Sequence, residues 1–242
     1  MIKATRRLDA SAILCQRLLT RIHRRYVTTT QTVRLGDLSF LFTRVADPDR
    51  VLDQVAAEID LRERLNGRRQ DDQHLHLPYW AELWDSALAI GLHLVRTPGL
   101  AARVLDLGCG MGLAGAAAAA LGARVLFADL EKPALLFARL NALPWARRVR
   151  TRQLNWRVDR LEQRFDLILG ADILYERGQW EYLEPFWRGH LASGGAVLLA
   201  EPGRQTGDLF LEWITSRGWR LEVFFETVPT RDKPVRLIRM WL

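Results

Sequence analysis

From residue 103 onward the chain alternates strand-like runs with stretches of helical spacing. The strand-like runs are Arg103–Leu107, Arg124–Ala128, Val149–Gln153, Phe165–Gly170, Ala196–Ala200, Leu221–Glu226 and Val235–Trp241. Between them, residues 112–120, 132–142, 178–192 and 206–217 place apolar side chains at helical intervals. Such alternation predicts a parallel sheet with helices on both faces. The last two strands are joined only by Thr227–Pro234. That connection is too short for a parallel crossover, so the seventh strand is expected to run antiparallel to its neighbours. Upstream, Trp80, Leu83, Trp84, Ala87, Leu88 and Leu92 fall on one face of a helix that Pro98-Gly99 should end. Residues 32–45 predict a hairpin about Gly36-Asp37, after a polar break at Thr28, Thr29 and Thr30. Residues 48–66 read as a polar helix, and Gly67 to Gln73 as a charged loop. No Pro/Ser-rich linker and no internal repeat interrupts the chain. The expected divisions are a basic segment over 1–30, a hairpin and helix cap over 31–77, and one main domain over 78–242.

Composition narrows the picture. The chain has 242 residues, 49% of them apolar, enough for one α/β domain with a modest extension. No apolar run approaches the ~20 residues that span a bilayer, so no membrane partner is expected. Two cysteines, Cys15 and Cys109, cannot make a disulfide framework, and no His/Cys spacing predicts a metal. The net charge is +7, but residues 1–30 hold seven Lys and Arg against Asp9 alone. Those thirty residues carry +6, and only +1 remains for the other 212. The main body is nearly neutral, and no nucleic-acid partner is expected. The basic start lacks a continuous apolar core, which argues against a secretory signal. It reads as a solvated helix or frayed tail, as an organelle transit peptide, or as a functional basic arm. The expected location is cytoplasmic, or mitochondrial if residues 1–30 act as a transit peptide. A monomer is expected.

The chemistry-bearing residues cluster at the ends of the expected strands. Asp106 precedes a turn in which Gly108, Gly110 and Gly112 surround Cys109 and Met111. The second strand ends on Asp129. Glycines let the backbone approach a nucleotide, and an acid at the next strand end accepts hydrogen bonds from ribose hydroxyls. The plainer alternative is a tight strand–helix turn. Gly110 to Gly115 also satisfies the dinucleotide spacing, and a dinucleotide needs its pyrophosphate at the helix N-terminus. S-adenosylmethionine has no phosphate, and its ammonium and sulfonium suit a loop that carries Asp106. Asn155 and Trp156 follow the third strand, where an amide can meet an adenine edge and an indole its face; Trp156 can equally be a core residue. Asp172 and Tyr175 follow the fourth strand, beside the same crevice, with a helix cap as the plainer role for Asp172.

Together these segments resemble the seven-strand, class I S-adenosylmethionine-dependent methyltransferases. More narrowly they resemble methyltransferase family 16, which contains many protein-lysine methyltransferases. The resemblance rests on Trp80–Ala87, on the loop Leu105–Gly112, on Leu154-Asn155-Trp156 and on Gly170–Tyr175, and it covers roughly residues 78–242. It implies a Rossmann-like, doubly wound α/β fold with a seven-stranded sheet, an antiparallel last strand and an N-terminal extension. It implies S-adenosyl-L-methionine as cofactor and a lysine of a protein as methyl acceptor. At the matching positions, Trp84, Gly108, Gly110, Asp129, Trp156 and Ala171 contact the cofactor; Asp172 and Tyr175 face the substrate. Asp106, Cys109, Gly112 and Asn155 complete the expected cofactor set. Asn155 departs from the Asp that is common in the family, but its amide oxygen still accepts from an adenine amine. Glu201-Pro202-Gly203-Arg204 and Pro78-Tyr79-Trp80 resemble segments of the electron-transfer-flavoprotein lysine methyltransferases. A small-molecule methyltransferase with the same cofactor is the alternative function. A dinucleotide oxidoreductase leaves Leu154–Trp156 and Asp172–Tyr175 unexplained, and a non-catalytic relative is at odds with the intact Asp106, Asp129 and Asp172.

Overall fold

The computed structural model describes residues 2–66, 77–97, 99 and 102–242. The loop expected over Gly67 to Gln73, and Pro98, lie outside the described residues. The chain begins with helix α1 (Ile2–His23), strands β1 (Thr28–Leu35) and β2 (Leu38–Val45), and helix α2 (Pro48–Asn66). A 3-10 turn at Tyr79–Ala81 leads to α3 (Asp85–Arg96). Then come β3 (Arg103–Leu107), α4 (Leu113–Ala120), β4 (Arg124–Asp129), α5 (Lys132–Asn141), β5 (Val149–Gln153) and β6 (Phe165–Ala171). The chain closes with α6 (Trp180–His190), β7 (Leu191–Glu201), α7 (Gln205–Ser216), β8 (Arg220–Glu226) and β9 (Val235–Trp241).

The main sheet has the order β5-β4-β3-β6-β7-β9-β8. Strands β3 to β7 are parallel, and β9 lies antiparallel between β7 and β8. The chain steps outward from β3 to β5, then returns to the other side of β3 with β6. This reversal opens a crevice at the carboxyl ends of β3, β4 and β6. Alternation along each strand feeds two cores. Val104, Val125 and Phe127 join the layer of α3, α4 and α5. Leu105, Leu107 and Leu126 join the layer of α6 and α7. Six of the eight residues of α4 are alanine, and small side chains let it sit against the sheet between α3 and α5.

The hairpin forms about the expected Gly36-Asp37 turn, with Gly36 at φ +58. Its first strand begins earlier than expected. Thr28, Thr29 and Thr30 pair with Val45, Arg44 and Thr43 and are strand rather than a break, as β-branched residues favour. The hairpin and α1 lie outside the α3–α5 layer. Asn141 fixes β2: its Oδ1 accepts from Thr43 N at 2.8 Å, and its Nδ2 donates to Thr43 O and Met111 O at 3.0 and 2.9 Å.

The helix expected from Trp80 starts at Asp85. Glu82 and Trp84 are extended, and the Trp84 indole donates back to Tyr79 O at 2.9 Å, closing an aromatic knot where a first helical turn was expected. That helix ends at Arg96, just ahead of the expected Pro98-Gly99 stop. The helix expected to reach 192 stops at His190, because β7 starts at Leu191 opposite Phe165.

Candidate functional site: a glycine cradle beside a carboxylate and a phenol

Strand β3 runs into the glycine turn with Gly108 at φ +65 and Gly112 at φ +84, both in the left-handed region that glycine tolerates best. Gly108 N and Cys109 N donate to Ala128 O at 2.8 and 3.1 Å, tying the turn to the end of β4. A Cβ on Gly108 would lie 2.8 Å from Ile173 Cγ2 and 3.7 Å from Trp156 Cζ3. The bare backbone of Gly108 thus lies between the two walls the sequence pointed to, the segment after β5 and the segment after β6. A Cβ on Gly112 would collide with Ala138 of α5 at 2.6 Å.

Two buried acids frame the cradle. Asp106, at the end of β3, is 1% exposed, and its Oδ2 accepts from Gly115 N in the first turn of α4 at 2.9 Å. Burial raises its pKa to about 7, against the opposing Gly115 hydrogen bond and with some help from the Asp129 charge. Asp129 accepts from Glu131 N and Gly110 N, both at 2.9 Å. Burial raises it to about 6, with those backbone bonds pulling the other way. The buried Cys109 thiol is held well above its usual range by burial and by both acids, so it stays protonated.

Asp106 also bears on which ligand the cradle suits. It occupies the amide at the N-terminus of α4, where a diphosphate would have to bind. A ligand with an ammonium and ribose hydroxyls suits two acids; a dianion does not.

Trp156 stands half-buried with its Nε1 donating to Gln179 Oε1 at 3.1 Å, and the same oxygen accepts from Arg157 Nε. Gln179 in turn donates to Glu176 Oε2 at 2.7 Å. Asn155 turns its Oδ1 to Arg157 N at 3.0 Å, shaping the loop that presents the indole. Trp84 is the N-cap residue of α3, and its ring meets Tyr79 edge-on at 6.4 Å; Tyr79 meets Tyr175 at 5.6 Å. A Cβ on Gly110 would lie 3.6 Å from Trp80 O, which places this aromatic row beside the cradle. Ala171 ends β6 opposite Ala200.

Asp172 follows with φ +55, the only non-glycine residue at positive φ among the described residues. A left-handed aspartate costs about 1–2 kcal/mol. It does not cap a helix: the next helical turn begins only at Arg177. Its N–H donates to Ala200 O at 2.8 Å, and its carboxylate is gripped by Arg204 from the loop after β7. Tyr175 is 43% exposed, and partial burial plus the nearby Glu176, Tyr79, Asp172 and Asp129 raise its phenol to about 12.

Tyr79, Gln179 and the bond from Arg204 to Asp172 were not assigned from sequence. Each joins segments far apart in the chain. For Arg204 there was a signal: it follows the carboxyl end of a strand, where crevice residues gather.

The sequence comparisons agree with this geometry. Residues 79–216 match the family model described as lysine methyltransferase. The protein N-lysine methyltransferase METTL21A of Danio rerio is 37% identical over 158 residues, which cover 61% of this chain and 71% of that protein. The electron transfer flavoprotein beta subunit lysine methyltransferase of Danio rerio is 32% identical over 141 residues, covering 52% of this chain and 51% of that protein. Among solved structures, the glycopeptide N-methyltransferase MtfA complexed with S-adenosyl-L-methionine superimposes with a TM-score of 0.52 at 17% identity, covering 64% of this chain and 92% of that one; at that identity it shows the fold. The cradle, its paired acids and the family match converge: the chain belongs to the lysine methyltransferase family, as a class I enzyme that uses S-adenosyl-L-methionine.

Proposed function

We propose that this protein methylates a lysine side chain of a protein substrate, with Asp172 and Tyr175 meeting the incoming amine. One observation carries the assignment. Ile173 presses on Gly108 of the cradle, so the carboxylate before it and the phenol after it stand at the cradle's rim. Gly108, Gly110 and Gly112 would hold the cofactor's backbone-facing side, together with Cys109 and Ala171. Asp106 and Asp129 would take its ammonium and ribose hydroxyls, Asn155 and Trp156 its adenine, and Trp84 would close the near wall. When bound there, S-adenosylmethionine supplies a methyl group on a sulfonium, an electrophile that needs an uncharged amine opposite it.

The chain's residues then align that amine. Asp172 accepts a hydrogen bond from the amine nitrogen and fixes its direction. Tyr175 keeps its proton throughout the neutral range, so it acts as an aromatic wall and hydroxyl donor, not as a base. Tyr79 and Tyr175 offer ring faces to the lysine ammonium at the open rim, where it gives its proton to water before the free amine enters. Alignment of this kind can supply about 7–11 kcal/mol of the barrier. Both tyrosines are 43% exposed, so the rim is open to a lysine carried on a folded chain.

The test is incubation of the purified protein with tritiated S-adenosylmethionine and a cell extract. Label on a protein lysine is expected. Asp172→Ala should lose about a hundredfold in turnover while keeping cofactor affinity within a few fold. Label confined to small molecules, or wild-type turnover in Asp172→Ala, overturns the proposal.

A further inference from the structure

Arg204 lies between β7 and α7. Its Nη1 donates to Asp172 Oδ1, and its Nη2 to Oδ2 at 3.1 Å, a fork on both carboxylate oxygens. The Asp172 side chain is 6% exposed and that of Arg204 38%. The loop beneath is fixed by a second buried acid. Gly203 N and Arg204 N both donate to Glu201 Oε2 at 2.8 Å. Glu201 pairs with Arg236 of β9 at 3.2 Å, and Arg236 reaches Asp208 of α7 at 2.7 Å. Arg231 ties down the same loop by donating to Pro202 O. The backbone that carries Arg204 is therefore anchored from behind, by Glu201 at Gly203 and Arg204 and by Arg231 at Pro202.

Among the described residues, the charged and titratable groups near the Asp172–Tyr175 loop include Glu176 on that loop, Tyr79 against Tyr175, and Asp129 at the end of β4. Glu201 stands behind the pair. Arg236 and Arg231 lie beyond it, on Glu201 and on Pro202 O, and among the described residues Arg204 is the one cation in contact with Asp172.

We propose that Arg204 is a positioning residue that balances the charge of Asp172, so that the acceptor nitrogen is taken up as the free amine and not as the ammonium. The inference rests on Asp172 facing the acceptor. An uncompensated carboxylate stabilises an ammonium beside it and raises its pKa. An ammonium has no lone pair to accept a methyl group. A carboxylate already paired with a guanidinium still has lone pairs for an amine N–H, but its net pull on a cation is small. Without Arg204 the site would hold lysine more tightly and methylate it less well.

Two cofactor analogues read this charge without any acceptor. Sinefungin carries an amine where S-adenosylmethionine carries its sulfonium methyl; S-adenosylhomocysteine carries neither. Calorimetry at neutral pH gives the ratio of their dissociation constants. Arg204→Gln should raise the preference for sinefungin about tenfold, and Asp172→Asn, which leaves Arg204 unpaired, should lower it about tenfold. Arg204→Lys should restore the original ratio. A merely structural role would weaken both ligands together and leave the ratio alone. If Arg204→Gln does not fold, Arg204→Ala decides, with the same tenfold rise expected, about tenfold in the ratio. A ratio that stays within about twofold in every folded variant overturns the proposal. A shifted ratio with no labelled protein lysine keeps the charge balance and removes the lysine assignment instead.

Discussion

Asp106 and Asp129 are carboxyls that the fold holds against their own ionisation. In the folded chain they keep their protons to about 7 and about 6, against 3.8 for an ordinary aspartate. Between pH 4 and 7 the folded state therefore binds more protons than the unfolded one. By linkage, the stability of the cofactor-free protein falls as pH rises through that window and then levels off, with at most about 1.4 kcal/mol per pH unit from each group. Asp106→Asn keeps an oxygen for Gly115 N and removes the titration. Denaturant titrations from pH 5 to 8 should show the variant gaining on the parent up to about pH 7 and no further; for Asp129→Asn the gain should end near pH 6. A stability difference that does not change with pH would show that these groups ionise freely. At this scale the glycine turn was legible, because Gly108 and Gly112 need conformations that other residues resist. The bond from Arg204 to Asp172 was not. Its two ends lie 32 positions apart, and a place at a strand's carboxyl end does not say whether an arginine there is solvated or locked on a carboxylate.

Whole elements were easier to read than their contacts. The strand β3, the turn at Gly36-Asp37 and the helix Pro48–Asn66 follow from periodicity and turn chemistry, which are local. Where the hairpin docks is decided by Asn141, which in the sequence is an ordinary polar residue at a helix end. In the fold it is 5% exposed and makes three hydrogen bonds, two to Thr43 of β2 and one to Met111 of the glycine loop. The same local logic misplaced the start of α3. Trp80 and Trp84 have helical spacing, but the indole of Trp84 finds its acceptor at Tyr79 O only if the chain between them is extended. Asn141→Ala leaves a buried N–H and two buried carbonyls without their partner. A loss of about 2–4 kcal/mol is expected by denaturant unfolding, with weaker cofactor binding because Met111 is freed. Unchanged stability would mean that water replaces the amide.

At the scale of the molecule, alternation of strands and helices predicted a parallel sheet with an antiparallel last strand, and the chain builds one. The strand order and the outer layer were out of reach, because they depend on which apolar faces meet. Helix α1 is the clearest case. Its charges are basic apart from Asp9, which left a solvated helix, a transit peptide and a basic arm all open. Yet Leu18 and Ile22, on one face, are 2% and 0% exposed, and α1 rests on α5. Just beyond it, Tyr26 meets the rings of Trp80 and Phe137 at 5.2 and 6.1 Å. Removal of residues 1–23 would strip both side chains from the core and uncover α5. Two fully buried aliphatic side chains are worth about 3–6 kcal/mol. For a domain of this size that lowers the melting temperature by roughly 6–24 °C. The cradle itself is tied to the sheet through Gly108, Cys109 and Ala128, not through α1. The truncated protein should therefore melt early yet, at a temperature where it is folded, bind S-adenosylmethionine within about threefold of the full chain. Leu18→Ala with Ile22→Ala should reproduce most of the loss without removing any charge. If truncation leaves the melting temperature unchanged, the helix contributes nothing to the core. If the double alanine variant is silent while truncation is not, the loss comes from the rest of α1, where Leu14, Cys15 and Leu19 also pack against the core.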